Sequence, residues 1–413
     1  MASIARRNLF EDIPRFLVAQ AGIMFAVSLV TIQTGVLSGF IRSVGVLIDQ
    51  SNADIWIAHR DMVQLELTLP MPAGNLDRVR QVEGVERAEP LLMGGGTWRS
   101  PSGEINLVRV FGFEPTGQLF SSFRMTQGSL GNLQDPYTVM VDESVMGGLG
   151  IQQVGDTATL GSLSLRVVGL SEGAQSIASS PYLFTSIENA KAFATAGLTA
   201  NLNCRLEAGQ FLCTNVYERS PDANPATSRP SPLTATDGIS YILVRAQPGQ
   251  DLDTLKQRLE AALPETQAYT QTEMANRTRN YWVRRTGIGF ILGLGATVGV
   301  IVGVVIVGQI LYSSVSDHMK EFATLKAMGV SDRVVYGIII RQALWMGVLG
   351  YLPSLALCLA LGAWTFQTQG IMILITPLTA TGILGLTIFM CVGSAIFAIQ
   401  KITRVDPAIV FKS

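Results

Sequence analysis

The chain has few of the residues that most enzyme and metal sites need. Among its 413 residues there are two histidines, His59 and His318, and four cysteines. Two isolated histidines form neither an HExxH motif nor a histidine metal cluster. The sequence also lacks a GxxxxGK[ST] loop, through which many ATPases bind phosphate. It therefore predicts a non-catalytic chain, with no catalytic residue, metal ligand or cofactor site.

Charged residues are missing from three long stretches of the sequence. These lie between Arg15 and Arg42, between Arg285 and Asp317, and from Gln342 to Gln400. A transmembrane helix needs about 20 apolar residues, and the last stretch is long enough for two. The sequence therefore predicts four transmembrane helices. The first is predicted to be a retained helix, because the apolar core of a cleaved signal peptide is only about 7–15 residues long.

The predicted fold class is an α-helical membrane protein with four transmembrane helices and a large α+β extracytoplasmic domain inserted between helices 1 and 2. The domain is expected to be α+β because strand and helix patterns follow one another. Ile105 to Phe113 is a predicted strand, and near the end of the domain the strand Tyr241 to Arg245, the amphipathic helix Leu252 to Leu263 and the strand Thr266 to Thr270 are predicted in that order. The predicted segments are a cytoplasmic interfacial helix at 1–15, transmembrane helix 1 at 16–41, the extracytoplasmic domain at 42–286, helix 2 at 287–312, a cytoplasmic coupling segment at 313–335, helix 3 at 336–366, helix 4 at 372–400 and a cytoplasmic tail at 401–413. Pro14 is expected to separate the interfacial helix from helix 1.

Basic residues at the ends of the predicted spans indicate the orientation. Cytoplasmic segments of membrane proteins carry an excess of lysine and arginine. The segments assigned to the cytoplasm on this basis contain Arg6, Arg7 and Arg15; Lys320, Lys326 and Arg333; and Lys401, Arg404 and Lys412. Both termini are therefore predicted to be cytoplasmic and the large domain external. The net charge of −1 gives no indication of a nucleic-acid partner.

The predicted spans are expected to contain no charged residue. Channels and carriers usually place ionisable groups at membrane depth, so this pattern argues against a substrate path through the helices. The alternative is a polar path built from Gln33, Thr34, Gln309 and Ser313 alone.

Gly295, Gly299 and Gly303 form a small-residue repeat in the second span, which allows two helices to approach closely. The partner could be a second copy of the chain or another helix of the same subunit.

The cysteines divide between the two parts of the chain. Cys204 and Cys213 belong to the external domain, where an oxidising compartment could join them in a disulfide. The alternative is two buried thiols. Cys358 and Cys391 lie within spans and are interpreted as packing residues.

The segment from Asp317 to Asp332, DHMKEFATLKAMGVSD, is predicted to be a short amphipathic helix on the cytoplasmic side. Its apolar face contains Phe322, Leu325 and Met328. Its polar residues include Lys320, Glu321 and Lys326, and Gly329 is predicted to end the helix. Such a helix can lie on the lipid surface or dock its apolar face in a groove of a soluble partner. The residues alone do not decide between these uses.

The run EFATLKAMG, Glu321 to Gly329, resembles the signature of the FtsX-like permeases, which include MacB, the lipoprotein-releasing LolC and LolE proteins and the DevC group. The tail Arg404-Val405-Asp406-Pro407-Ala408 is similar to the closing segment of that family. The external run from Val82 to Pro90, followed by a strand ending in Val110-Phe111-Gly112, is similar to the MacB-type periplasmic core.

This resemblance implies the membrane subunit of an ABC transporter of the mechanotransmission type, in a bacterial inner membrane. A homodimer would work with a separate cytoplasmic ATPase, and movement of its helices would be relayed to the external domain. Phe322, Leu325 and Met328 would dock the ATPase, with Glu321 or Lys326 fixing the register. The favoured activity is export with a periplasmic adaptor and an outer-membrane channel. Alternatives are lipoprotein release, FtsX-like regulation and, in another class, a membrane receptor, although the short cytoplasmic segments leave little room for an output domain.

Overall fold

The computed structural model of the chain describes residues 13–120, 124–195, 198–207, 210–219, 229–285, 287–317, 319, 324, 328, 330–369 and 372–403. The chain divides into two compact units. One unit comprises Met1–Gly39 with Thr286–Ser413 and contains the hydrophobic helices. The other unit is Phe40–Arg285.

Along the chain, the elements of the second unit lie between the first helix and the last three described helices of the first unit. The described helices are α1 (Ile13–Val44), α2 (Val46–Asp49), α3 (Asn75–Arg80), α4 (Met146–Leu149), α5 (Ile187–Thr195), α6 (Leu252–Ala262), α7 (Gln271–Arg285), α8 (Ile288–Asp317), α9 (Asp332–Gln369) and α10 (Pro377–Thr403), with short 3-10 turns at Leu130–Gln134 and Glu143–Val145. The described strands are β1 (Ile55–His59), β2 (Met71–Pro72), β3 (Val85–Arg99), β4 (Ile105–Phe113), β5 (Arg124–Gly128), β6 (Thr138–Asp142), β7 (Thr157–Leu160), β8 (Leu163–Glu172), β9 (Tyr182–Ser186), β10 (Leu198–Glu207), β11 (Gln210–Arg219), β12 (Gly238–Ile239), β13 (Tyr241–Ala246) and β14 (Thr266–Thr270).

Within the described residues, four helices are long and apolar enough to cross a membrane. The candidate spans are Phe16–Val44, Ile288–Ser313, Arg333–Phe366 and Pro377–Ile396. The predicted fold class of four such helices with a large domain inserted after the first is therefore confirmed. Pro14 lies in the first turn of α1, where its missing N–H would have no helical partner in any case. Residues 1–12 of the predicted interfacial helix lie outside the described residues, so the boundary between two helices at Pro14 stays a prediction.

The expectation that no span contains a charge is wrong for the first and third helices, whose candidate spans include Arg42 and, in the third, Arg333 and Arg341. Arg341 lies inside the candidate span Arg333–Phe366, and its side chain is exposed on the helix surface. The helix begins at Asp332, four residues before the predicted start at residue 336, and Arg341 lies inside both the predicted and the observed helix. Arg341 is close enough to the start of the span for its long side chain to reach the headgroup region.

Three polar side chains in the membrane unit donate to, or lie close to, backbone carbonyls of other helices. The Gln20 amide donates to the Met346 carbonyl at 3.5 Å, and the Ser354 hydroxyl lies 3.4 Å from the Met24 carbonyl. The Ser394 hydroxyl donates to the Val304 carbonyl at 2.9 Å. Lipid offers no hydrogen-bond partner, so such bonds join helices firmly. Cys358 and Cys391 are buried free thiols, which agrees with their interpretation as packing residues.

The second unit is built on one ten-stranded sheet in the order β14-β1-β13-β3-β4-β9-β6-β8-β5, with β7 pairing β3 and β8. Strand β1 lies between β13 and β14, which come from the end of the domain sequence. Its residues are buried on both sides, with Trp56 in one core cluster and Ile55 and Ile57 in another. The beginning and the end of the inserted segment are therefore joined in the same sheet.

The outer edge of β14 is closed by hydrogen bonds from within the domain. Strand β14 pairs with β1 on one side, so the N–H groups of Thr266, Ala268 and Thr270 point away from the sheet. The Thr266 N–H donates to the Leu263 carbonyl at 3.0 Å. The Ala268 N–H donates to Glu260 Oε1 at 3.0 Å, and the Thr270 N–H donates to Glu273 Oε2 at 2.8 Å.

Two residues of the MacB-like run have clear structural roles. Gly84 has φ +99°, in the left-handed region that glycine adopts without strain, where the chain turns from α3 into β3. The buried Glu89 carboxylate accepts the backbone N–H groups of Gln118 and Leu119 at 2.8 and 2.9 Å, and it pairs with Arg87 at 3.2 Å. Glu89 therefore fixes the connection that follows β4.

Candidate functional site

The predicted coupling segment joins the end of α8 to the start of α9. Glu321, Phe322, Leu325, Lys326 and Gly329 lie outside the described residues. Met328 is described, and 67% of its surface is exposed.

The Met328 N–H donates to the Thr324 carbonyl at 3.0 Å, which is the spacing of one α-helical turn. This bond agrees with the helix predicted from the sequence. An exposed methionine presents a flexible apolar side chain that adapts to a partner surface.

The glycine repeat of α8 packs against helices of the same subunit. A Cβ on Gly299 would lie 3.0 Å from Val30 Cγ2 of α1, and a Cβ on Gly295 would lie 2.7 Å from the Gln33 amide of α1. A Cβ on Gly303 would meet Met390 of α10 and, at 2.9 Å, Ala26 of α1. At Gly299 and Gly303 the neighbouring helices occupy the space of a side chain, whereas at Gly295 the close contact is with the flexible end of Gln33. The structure thus favours packing within one subunit over a dimer face.

The two external cysteines face each other across a hairpin. In the antiparallel register of β10 and β11, Cys204 and Cys213 are directly paired. Directly opposed residues in such a ladder have Cα atoms about 4.5 or 5.5 Å apart, and both distances lie within the range of a disulfide. The backbone register is therefore compatible with the predicted bridge.

A carboxylate in the second unit links the connection between β1 and β2 to strands β4 and β9, and sequence analysis does not reveal it. Glu66, in the connection between β1 and β2, lies 3.2 Å from Arg109 Nε of β4. It also accepts the Tyr182 hydroxyl at 2.7 Å. Burial and the adjacent Glu66 carboxylate raise the pKa of Tyr182 well above its usual value, so this hydroxyl remains a donor. The residues are far apart in the sequence, and no local pattern links them.

A polar groove of about 920 Å³ lies between α6, β14 and α7. Its lining includes Lys256, Glu260, Tyr269, Glu273, Arg277 and Arg284. Lys256 Nζ lies 2.6 Å from Glu273 Oε2. Partial burial opposes ionisation of Glu273, but the hydrogen bonds from Lys256 and the Thr270 N–H outweigh it and lower the pKa of this carboxyl. The Glu273 carboxylate is therefore paired within the groove.

Known protein families match both units of the chain. The family described as "FtsX-like permease C-terminal" matches residues 293–407. The family described as "MacB-like periplasmic core domain" matches residues 16–262, more than half of the chain. The chain belongs to the MacB/FtsX-type ABC transporter permeases. The resemblance inferred from EFATLKAMG and from the external run is thereby confirmed.

Full-length relatives of this MacB/FtsX-type permease occur in mycobacteria. An uncharacterized ABC transporter permease of Mycobacterium bovis is 21% identical over 397 residues, which cover 95% of this chain and 94% of the relative. One from Mycobacterium tuberculosis is 24% identical over 398 residues, with the same coverage.

Among solved structures, the periplasmic region of MacB from Actinobacillus actinomycetemcomitans is 10% identical, with a TM-score of 0.35, and covers 56% of this chain and 96% of that one. The extracellular domain of the noncanonic ABC-type transporter YknZ from Gram-positive bacteria is 9% identical, with a TM-score of 0.34, and covers 53% of this chain and 100% of that one.

Proposed function

We propose that this permease couples ATP hydrolysis by a separate cytoplasmic ATPase to movement of its external domain, as a transporter of the mechanotransmission type. The observation that carries the proposal is the match of both units to MacB- and FtsX-type permeases over nearly the whole chain. The exposed Met328 between two membrane helices supports a docking role for the segment Asp317–Gly329. Members of this family are generally non-catalytic subunits, so the ATPase activity would belong to the partner.

The remaining parts of the proposal concern partners and location. The protein would be a multi-pass protein of a bacterial inner membrane, with cytoplasmic termini and the Phe40–Arg285 unit outside. It would act as a homodimer and export its substrate with a periplasmic adaptor and an outer-membrane channel. Lipoprotein release and FtsX-like regulation remain the alternatives within the family, and they differ in the partners they require.

The test is affinity purification of the full chain from its native membrane in mild detergent, followed by mass spectrometry of the proteins that accompany it. We expect an ABC-type ATPase in stoichiometric amount, and an adaptor if the protein exports a substrate. Recovery of the ATPase together with a lipoprotein or a cell-wall hydrolase regulator would favour an alternative within the family. Repeated recovery without any nucleotide-binding partner, also after crosslinking, would contradict the proposal.

We also propose that Cys204 and Cys213 form a disulfide, since the β10–β11 register pairs them directly. We expect the protein to migrate differently in non-reducing gel electrophoresis before and after reduction, and we expect the difference to disappear in Cys204→Ser. Cys358→Ser serves as the control, because Cys358 is a buried free thiol and its replacement should leave the shift unchanged. Maleimide labelling of both external cysteines in the unreduced protein would reject the bridge.

A further inference from the structure

The polar groove beside α7 has an arginine-rich end. On α7, Arg277, Asn280 and Arg284 follow each other at intervals of three and four residues, so they lie on one face of the helix. All three are exposed and line the groove. Their side chains supply only hydrogen-bond donors, apart from the Asn280 carbonyl oxygen. This end of the groove therefore suits an anionic ligand.

The positive charge at this end has little internal compensation. The sequence from residue 274 to 285 contains four arginines and no acidic residue. Arg279 pairs with Asp49, and Arg277 donates to the Met62 carbonyl at 2.8 Å while lying over the Tyr269 ring at 5.3 Å. Within the described part of the chain, Arg284 has no hydrogen-bond or ion-pair partner. Of the carboxylates that line the groove, Glu260 and Glu273 bond to the β14 backbone and Lys256, and Asp253 lies 3.8 Å from Lys256.

Chain connectivity places Arg284 close to the bilayer surface. The hydrophobic helix α8 begins at Ile288, four residues later, so the two Cα atoms are at most about 14 Å apart. On the same turn of α7, Trp282 makes an edge contact with Phe40, with ring centroids 6.3 Å apart, and with Tyr281 at 6.0 Å. Tryptophan and tyrosine concentrate at the headgroup level of membranes. Arg284 therefore lies only four residues before the candidate membrane span, within reach of a lipid headgroup along the chain.

A purely structural role explains only part of this arrangement. Basic residues in the last turn of α7 interact favourably with the helix dipole. That interaction needs neither a groove nor the aligned donors of Arg277 and Asn280. Arginine binds phosphate oxygens through two parallel N–H donors, which makes phosphate the anion that these side chains fit best. A groove of this volume is large enough for a phospholipid headgroup.

We propose that the Arg284 end of the groove binds the phosphodiester headgroup of an anionic phospholipid from the leaflet that faces the domain. The Arg284 guanidinium binds the phosphate, and Asn280 and Arg277 contact the polar headgroup above it. An anionic lipid is preferred over a zwitterionic one because this end of the groove, formed by Arg277, Asn280 and Arg284, contributes no carboxylate to pair with a choline or ethanolamine group. The proposal requires only membrane insertion, so it does not depend on the partner ATPase.

Native mass spectrometry of the full-length protein in detergent, titrated with phosphatidylglycerol or phosphatidylcholine, tests this site. We expect phosphatidylglycerol to bind at least about fivefold more tightly, and Arg284→Gln to weaken its binding by about fivefold, the effect of one basic residue near an anionic surface. Arg284→Lys should keep most of the preference. The matched control is Arg99→Gln, since Arg99 is an exposed arginine of β3, far along the chain from the groove, and its loss should change nothing.

Three results would overturn the proposal. The first is equal affinity of the wild type for phosphatidylglycerol and phosphatidylcholine. The second is equal affinity of Arg284→Gln and Arg99→Gln for phosphatidylglycerol, when both variants keep the melting temperature of the wild type. The third is displacement of phosphatidylglycerol by millimolar inorganic phosphate with the same dependence on Arg284, which would identify free phosphate as the ligand. Preference for phosphatidylglycerol that is lost in Arg284→Gln and resists phosphate would support the lipid site.

Discussion

Leu325→Glu should abolish co-purification of the partner ATPase while leaving the permease inserted in the membrane. The substitution places a charge on the predicted apolar face of the coupling helix, which a partner groove would have to desolvate. Losing one central apolar contact of an interface costs about 2 kcal/mol or more, which weakens binding roughly thirtyfold. Pull-down of the ATPase with the tagged permease measures the effect. Met328→Glu should act in the same direction, because Met328 is exposed between α8 and α9.

Ser331→Glu provides the matched control for this experiment. It adds the same charge to the same cytoplasmic segment, but next to the N-terminus of α9, where a negative charge is favourable. We expect normal ATPase recovery with Ser331→Glu. If Leu325→Glu and Met328→Glu also recover the ATPase normally, the coupling-helix assignment is wrong and the segment is better interpreted as a helix lying on the lipid surface.

Gly303→Leu should severely destabilise the membrane unit. The space next to Gly303 is filled by Met390 of α10 and Ala26 of α1, so a large side chain would push apart three helices. Overpacking a tight core costs about 3 kcal/mol, and the helices of a membrane protein have no hydrophobic effect to restore their contact. A clear decrease in the melting temperature of the detergent-purified protein is the expected result. Gly299→Leu should have a similar effect, because Val30 and Leu29 lie against that position.

Gly293→Leu makes the same change in the same helix at a position with open space around it. We expect its melting temperature to remain close to that of the wild type. If Gly293→Leu and Gly303→Leu were equally destabilised, helix flexibility rather than packing against α1 and α10 would explain the effect. If Gly303→Leu instead left the monomer stable but reduced crosslinking between copies, the glycine repeat would be a dimer face after all.

Elements with strong local signals could be predicted from the sequence alone. The predicted strands Ile105 to Phe113 and Thr266 to Thr270 coincide with β4 and β14, and the amphipathic run from Leu252 gives α6. Helix α6 also has a local start signal, because the Asp251 carboxylate accepts the Thr254 N–H at 2.8 Å. The four hydrophobic helices could be predicted for the same reason, because the absence of charged residues can be recognised within each segment by itself.

Features that depend on distant residues could not be predicted. The position of β1 between β13 and β14 depends on packing between the two ends of the inserted domain. A single sequence contains no signal for such long-range pairing. The Glu66 carboxylate meets Arg109 and Tyr182 across 43 and 116 sequence positions. Helix α7 was also not predicted, because its arginine and asparagine residues obscure the apolar periodicity. The groove and its arginine-rich end were missed for the same reason.

The carboxylates of Glu260 and Glu273 on the edge of β14 also affect how copies of the domain behave near one another. An open sheet edge is a template for an extended segment of another chain, and copies confined to one membrane surface meet often. Here an incoming strand would have to displace two carboxylates from the backbone before it could pair. We therefore expect that copies of the domain can lie close together in the membrane plane without pairing strands along this edge of the sheet.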